Sequence, residues 1–114
     1  MDTKLVVRKS ADGSDALSVM QLSGPVSLST LFEFQNAVRE DSAKTLIIDM
    51  TEVPYIDSAG IGSLVNAHVS RVNSGRKLLL AGAADRIEKI LTVTGVFKVF
   101  STSPTVDAAK ESLH

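Results

Sequence analysis

The 114 residues suffice for one small domain with a single core, and their hydrophobic content of 44% argues against disorder over most of the length. The formal charge of −1, with acidic and basic residues interspersed, excludes the basic stripe of a nucleic-acid binder and the polybasic amphipathic helix of a membrane-surface protein. The absence of cysteine excludes a disulfide framework, thiol catalysis and a Cys-ligated metal.

The N-terminal apolar run is too short for a signal peptide, and no stretch approaches the ~20 apolar residues of a membrane-spanning helix. The expected location is the cytoplasm. Leu5-Val6-Val7 opens an edge strand that stops at the turn-forming cluster Ser10 to Asp15. Ala16 to Leu22 alternates apolar with polar, as a half-buried strand does, and the two form a hairpin ended by Ser23-Gly24-Pro25. Leu28, Leu31, Phe34 and Val38 recur at helical spacing, which predicts a helix over 28–40. Thr30 and Glu33 are spaced as a capping box, with Ser27 or Ser29 as rival caps, and Phe32 falls at the rim of the apolar stripe.

After a short loop, Asp41 to Lys44, the β-branched run from Thr45 to Thr51 reads as a buried strand. Pro54 keeps Val53 extended and sharpens the bend that follows. The period then turns helical, with Ile61, Leu64, Val65, His68 and Val72 on the apolar face and Asn66, Ser70 and Asn73 opposite. His68 reads as a packed core imidazole, since no acidic or second His partner follows at helical spacing. Gly75 is placed to close that helix. A second buried strand covers Lys77 to Gly82, and Ile87, Ile90 and Leu91 mark a helix closed near Gly95. An edge-like strand is expected at Val96 to Phe100. Ser103 and Pro104 would then start a last helix with Val106, Ala109 and Leu113 inward.

The order β-β-α-β-α-β-α-β-α predicts an α/β fold: a mixed, mostly parallel sheet with an antiparallel N-terminal hairpin and about four helices. Without an internal repeat or linker, residues 1–114 are expected to form one domain. The exposed edge of the first or last strand could pair weakly with a second copy.

The strand-to-helix turn Tyr55-Ile56-Asp57-Ser58-Ala59-Gly60-Ile61-Gly62 is the most informative stretch. A hydroxyl at a helix start lies beside unsatisfied backbone N–H groups and the positive end of the helix dipole, a favourable place for a phosphate. Asp57 or Ser58 could equally be a plain N-cap. Gly60 and Gly62 each cost a helix up to ~1 kcal/mol relative to Ala. Either the first turn packs closely on a neighbouring strand, or a partner must approach Ser58 unobstructed. Hydrolase chemistry fails on inventory: Ser58 lacks the first Gly of a nucleophile elbow, and neither His68 nor His114 is placed as its base. No phosphate-binding loop, paired carboxylate site or metal set is visible, so no enzyme activity and no cofactor are expected.

Asp57-Ser58-Ala59-Gly60-Ile61-Gly62, preceded by Ile47-Ile48-Asp49, resembles the signature of STAS domains, and more narrowly the bacterial anti-sigma factor antagonists with their Asp-Ser-Ser/Thr-Gly-Leu-Gly motif. The resemblance extends to Leu22-Ser23-Gly24, the Lys77 to Gly82 strand and Thr94-Gly95-Val96-Phe97. It implies a STAS-like fold, with Ser58 as the phosphorylation site and Asp57, Ala59, Gly60, Ile61, Gly62 and Ser27 around it. It also implies two partners: an anti-sigma factor that is a serine kinase, bound only when Ser58 is unmodified, and a metal-dependent serine phosphatase that resets the switch. Two positions depart from the family pattern. Ala59 replaces the second hydroxyl, and Ser27 stands where the family usually has an acid. These departures leave open an alternative, a constitutive STAS interaction module in a signalling complex or beside a transporter.

Overall fold

The computed structural model describes residues 4–11, 16–95 and 100–113. They form β1 (Val6–Ala11), β2 (Leu17–Ser23), a 3-10 turn (Leu28–Thr30), α1 (Leu31–Glu40), β3 (Thr45–Glu52), α2 (Ser58–Asn73), β4 (Lys77–Ala81), α3 (Asp85–Val93), β5 (Ser101–Ser103) and α4 (Val106–Glu111). The five strands lie in one sheet in sequence order. β1 pairs antiparallel with β2, Val7 opposite Leu22, and every later pairing is parallel. Consecutive neighbours joined by right-handed crossovers must put their helices on one face. Accordingly Phe34 and Val38 of α1, Leu64 and Ala67 of α2, and Ile87 and Leu91 of α3 share a core with Met20, Leu46, Ile48, Leu78 and Leu80. The other face is covered by α4, whose Ala109, with Val106 and Leu113 beside it, packs on Ile47, Leu79 and Ala81. β3 is flanked on both faces, which is why its sequence is apolar without alternation.

Several details differ from the expectations. The strand expected at Val96 to Phe100 falls partly on residues 96–99, outside the described residues; the strand that is described, β5, begins at Ser101, after a buried Phe100. Ser103 therefore ends a strand. The cap of α4 is Thr105, whose Oγ1 accepts the Ala108 N–H at 3.0 Å. Thr30 is the N-cap residue of α1 as expected, but its side chain makes no capping bond to that helix. It serves the 3-10 turn instead, where the Ser27 N–H donates to Thr30 Oγ1 at 3.0 Å and the Ser27 carbonyl accepts the Thr30 N–H at 3.1 Å. Thr30 is buried and also donates to the Pro25 carbonyl at 2.8 Å, so it is occupied behind the turn.

The largest correction concerns the face of α2. Its buried residues are Gly60, Ser63, Leu64, Ala67 and Arg71, whereas Val72 is 54% and Val69 47% exposed. His68 is half-buried, its ring edge-on to Phe100 with centroids 5.5 Å apart. Small residues let the helix lie close to its neighbours, and that gain outweighs burying the valines.

Arg71 is the charged member of this buried set. Its Nε donates to the Lys77 carbonyl at 2.9 Å, Nη1 to the Asp41 carbonyl at 3.2 Å, and Nη2 to the Ala43 carbonyl. Asp41 Oδ1 lies 3.6 Å from Nη1, with both side chains nearly sealed from solvent. Burial pushes the Arg71 pKa down, Asp41 opposes that shift, and Arg76 nearby adds to it. A guanidinium stays charged regardless. The group thus ties the end of α2 to the α1–β3 loop and the start of β4.

Candidate functional site

The site forms where the loops after β2 and β3 continue the pairing of those strands. Gly24 N–H donates to the Glu52 carbonyl at 3.1 Å, Val26 N–H to the Tyr55 carbonyl at 3.2 Å, and Asp57 N–H to the Val26 carbonyl at 3.3 Å. A parallel bridge joins Val26 to Ile56. Gly24 permits this course: its φ is +117°, and a Cβ there would lie 2.2 Å from the Lys4 carbonyl oxygen.

Asp57 is the N-cap of α2. Its backbone is extended, and Oδ1 accepts the Gly60 N–H at 2.8 Å. Oδ2 accepts the Leu28 N–H at 3.1 Å. One carboxylate therefore caps the helix and fastens the 3-10 turn to it. The open choice between Asp57 and Ser58 as cap resolves to Asp57, which leaves the Ser58 side chain unused for capping. Ser58 is the first residue of α2 and is exposed, at the positive end of a helix of 16 residues.

The two glycines separate. Gly60 is buried, and a Cβ there would sit 2.1 Å from the Val26 carbonyl oxygen and 2.8 Å from Ile56 Cγ1, so close packing accounts for it. Gly62 is exposed, with nothing within 4 Å of such a Cβ, so packing does not account for it. Ala59 is half-buried, and Ile61 packs against the rim of the core. Ser27 is buried at 4%, its Oγ 3.0 Å from Ser29 Oγ within its own loop.

Two residues beside the site run against the sequence reading. Phe32, expected at the core rim, is 75% exposed, and Leu28, expected on the apolar stripe, is 70% exposed. The 3-10 turn offsets the register, so the buried side of α1 begins at Phe34. Leu28 is tied to the Ser58 turn through Asp57, an arrangement no spacing rule foretells across 29 residues. Among the described residues no His, Cys, Asp and Glu group is clustered to hold a metal, and no helix is long and apolar enough to cross a membrane.

A family model of the STAS domain matches residues 8–109. The chain belongs to the STAS domain family. The anti-sigma-B factor antagonist of Listeria monocytogenes is 41% identical over 51 residues, 45% of this chain. That match spans only 45% of the relative's own length. Among solved structures, an anti-sigma factor antagonist from Mycobacterium paratuberculosis superposes with a TM-score of 0.81 at 22% identity, over 95% of this chain and 92% of that one. The Bacillus cell fate determinant SpoIIAA in its phosphorylated form gives 0.69 at 13% identity, over 96% of this chain and all, 100%, of that one. At such identities the likeness is one of fold, and it agrees with the sheet order and helix placement of this STAS domain.

Proposed function

We propose that this STAS domain is an anti-sigma factor antagonist whose grip on an anti-sigma factor serine kinase is set by phosphorylation of Ser58. Unmodified, it binds the kinase in the cytoplasm and so frees a sigma factor. Phosphorylated, it is released, and a serine phosphatase restores it. The chain acts by binding and needs no cofactor of its own.

The observation that carries this reading is the exposed Ser58 hydroxyl on a turn whose cap is supplied by its neighbour Asp57. Because Asp57 holds the turn, the serine oxygen can be esterified without unmaking the helix start. A phosphoserine brings about −1.5 to −2 charges. The helix dipole tolerates it in the free domain, while a desolvating partner surface does not. A hundredfold loss of affinity takes only about 2.7 kcal/mol, within reach of one misplaced phosphate and with no refolding.

The test is labelling by purified anti-sigma factor serine kinases from the same genome with ATP. The expected result is one phosphate per chain, none in Ser58→Ala, and Ser58→Asp folded as wild type with binding reduced about a hundredfold. Retained labelling of Ser58→Ala removes this residue from the mechanism. Ser58→Asp binding as tightly as wild type removes charge as the switch. The alternative, a constitutive interaction module, draws on Ala59 and on Ser27, which brings no carboxylate to the phosphorylation neighbourhood. It predicts a pull-down that recovers a transport ATPase and no kinase.

A further inference from the structure

The outer surface of α2 is unlike that of any other described helix. α1 exposes Glu33, Arg39 and Glu40, α3 exposes Asp85, Arg86 and Lys89, and α4 exposes Asp107, Lys110 and Glu111. The sequence of α2 from Ser58 to Asn73 contains one Arg, Lys, Asp or Glu residue, Arg71, and that side chain is buried. Ser58, Gly62, Val65, Val69 and Val72 follow one another at intervals of four, three, four and three, so they fall on one side of the helix. At 1.5 Å per residue this stripe runs about 21 Å from Ser58. Gly62 and Val69 on it are exposed, Val65 is half-buried, and Val72 is 54% exposed. Leu28, whose N–H is bonded to the N-cap Asp57, is 70% exposed, and Phe32, four residues further along the chain, is 75% exposed. Solitary exposed valines need no explanation, but a contiguous neutral stripe does: depletion of charge is the compositional mark of an interface core.

We propose that this stripe, together with Leu28 and Phe32, is the docking face for the kinase that phosphorylates Ser58. The inference rests on the function proposed above and adds where the partner sits. A kinase delivering phosphate to Ser58 must cover the first turn of α2, and the residues that follow it along that side of the helix, Gly62, Val65, Val69 and Val72, carry no charge. Gly62 fits this placement: unlike Gly60, it has open space where its Cβ would lie, with nothing within 4 Å, so what needs that space in the first turns of α2 lies outside this chain. The flank of the stripe gives the partner's chemistry. A groove of about 230 Å³ between α1 and α2 is edged by Asn66 and Ser70, and the charged residues lining it, Arg39, Arg71 and Arg76, are all cationic. Arg71 is already matched by Asp41. Arg39 and Arg76 therefore favour a partner that is apolar over the valines and acidic at that rim.

The experiment uses the full chain and whichever kinase labels Ser58 in the assay above, measuring affinity by calorimetry and steady-state phosphorylation. Gly62→Gln, Val72→Asp and Phe32→Ala are each expected to weaken binding at least tenfold and raise KM with little change in kcat, and Arg39→Glu to weaken it about threefold. Gly62→Ala is a fold control, expected to melt at or above the wild-type temperature. All four variants binding as wild type, with wild type still labelled, overturns the docking face and leaves the phosphorylation switch standing. A chain that no kinase labels loses both the switch and the occupant assigned to this face.

Discussion

The two ends of α2 are held by opposite means. At the C-terminal end Arg71 is 2% exposed and reaches three backbone carbonyls and a buried carboxylate from two other segments. At the N-terminal end Asp57 makes two bonds to backbone N–H groups from a half-buried position, and the residue after it is in solvent. The difference shows how one helix can be both an anchor and, on the function proposed above, a switch. The charge that fixes the helix is buried and matched by Asp41. The end proposed for the partner is shaped by hydrogen bonds that a modification on Ser58 would not have to break.

Removing the anchor is the largest perturbation of this contrast. Arg71→Met leaves the buried Asp41 carboxylate with a Lys9 nitrogen 3.8 Å away and Arg76 on its backbone carbonyl, and is expected to cost about 3–5 kcal/mol, a large share of a small domain's stability. Urea unfolding measures it. A loss under about 1 kcal/mol would mean that the remaining cations suffice and that α2 has no special anchor. Second comes Gly60→Ala, which drives a methyl into the Val26 carbonyl. The expected cost is about 1–3 kcal/mol by the same measurement, with slower labelling of Ser58 as the turn shifts. Unchanged stability would show that the two loops can part cheaply, contrary to their paired geometry. The smallest effect is at the cap. Asp57→Ala should cost about 1 kcal/mol, and Asp57→Asn should recover part of it, because an amide oxygen still accepts the Gly60 N–H while the amide nitrogen cannot accept the Leu28 N–H. If Asn and Ala are equally destabilised, the Gly60 hydrogen bond is not what holds the helix start, and the comparison between the two ends weakens.

Much of this was legible before any coordinates. The β-branched run at Thr45 and the apolar Lys77 to Gly82 segment are strands, the hairpin is antiparallel, and the Asp-Ser-x-Gly turn lies at a helix start, all as periodicity and turn residues indicated. The failures share a cause. Helical spacing places the large apolar Leu28 and Val72 inward, yet Ser63, Ala67 and Arg71 took the inside of α2 and the 3-10 turn carried Leu28 off the buried side of α1; Phe32, placed at the core rim, is exposed. Asp41 passed as a loop residue because a charge in a short connection is ordinarily solvated. Its partner lies 30 positions away.

The chain by itself determined which segments are extended and which are coiled, and which hydroxyl stands at the head of the central helix, because these depend on neighbours in sequence. The tertiary structure alone decided which side of that helix meets the sheet, that a buried arginine closes its far end, and that an uncharged stripe is left outside. Those outcomes turn on how closely separate segments approach one another. A close fit can favour a glycine, a serine or a well-bonded arginine over a valine, and hydrophobic periodicity carries no measure of fit.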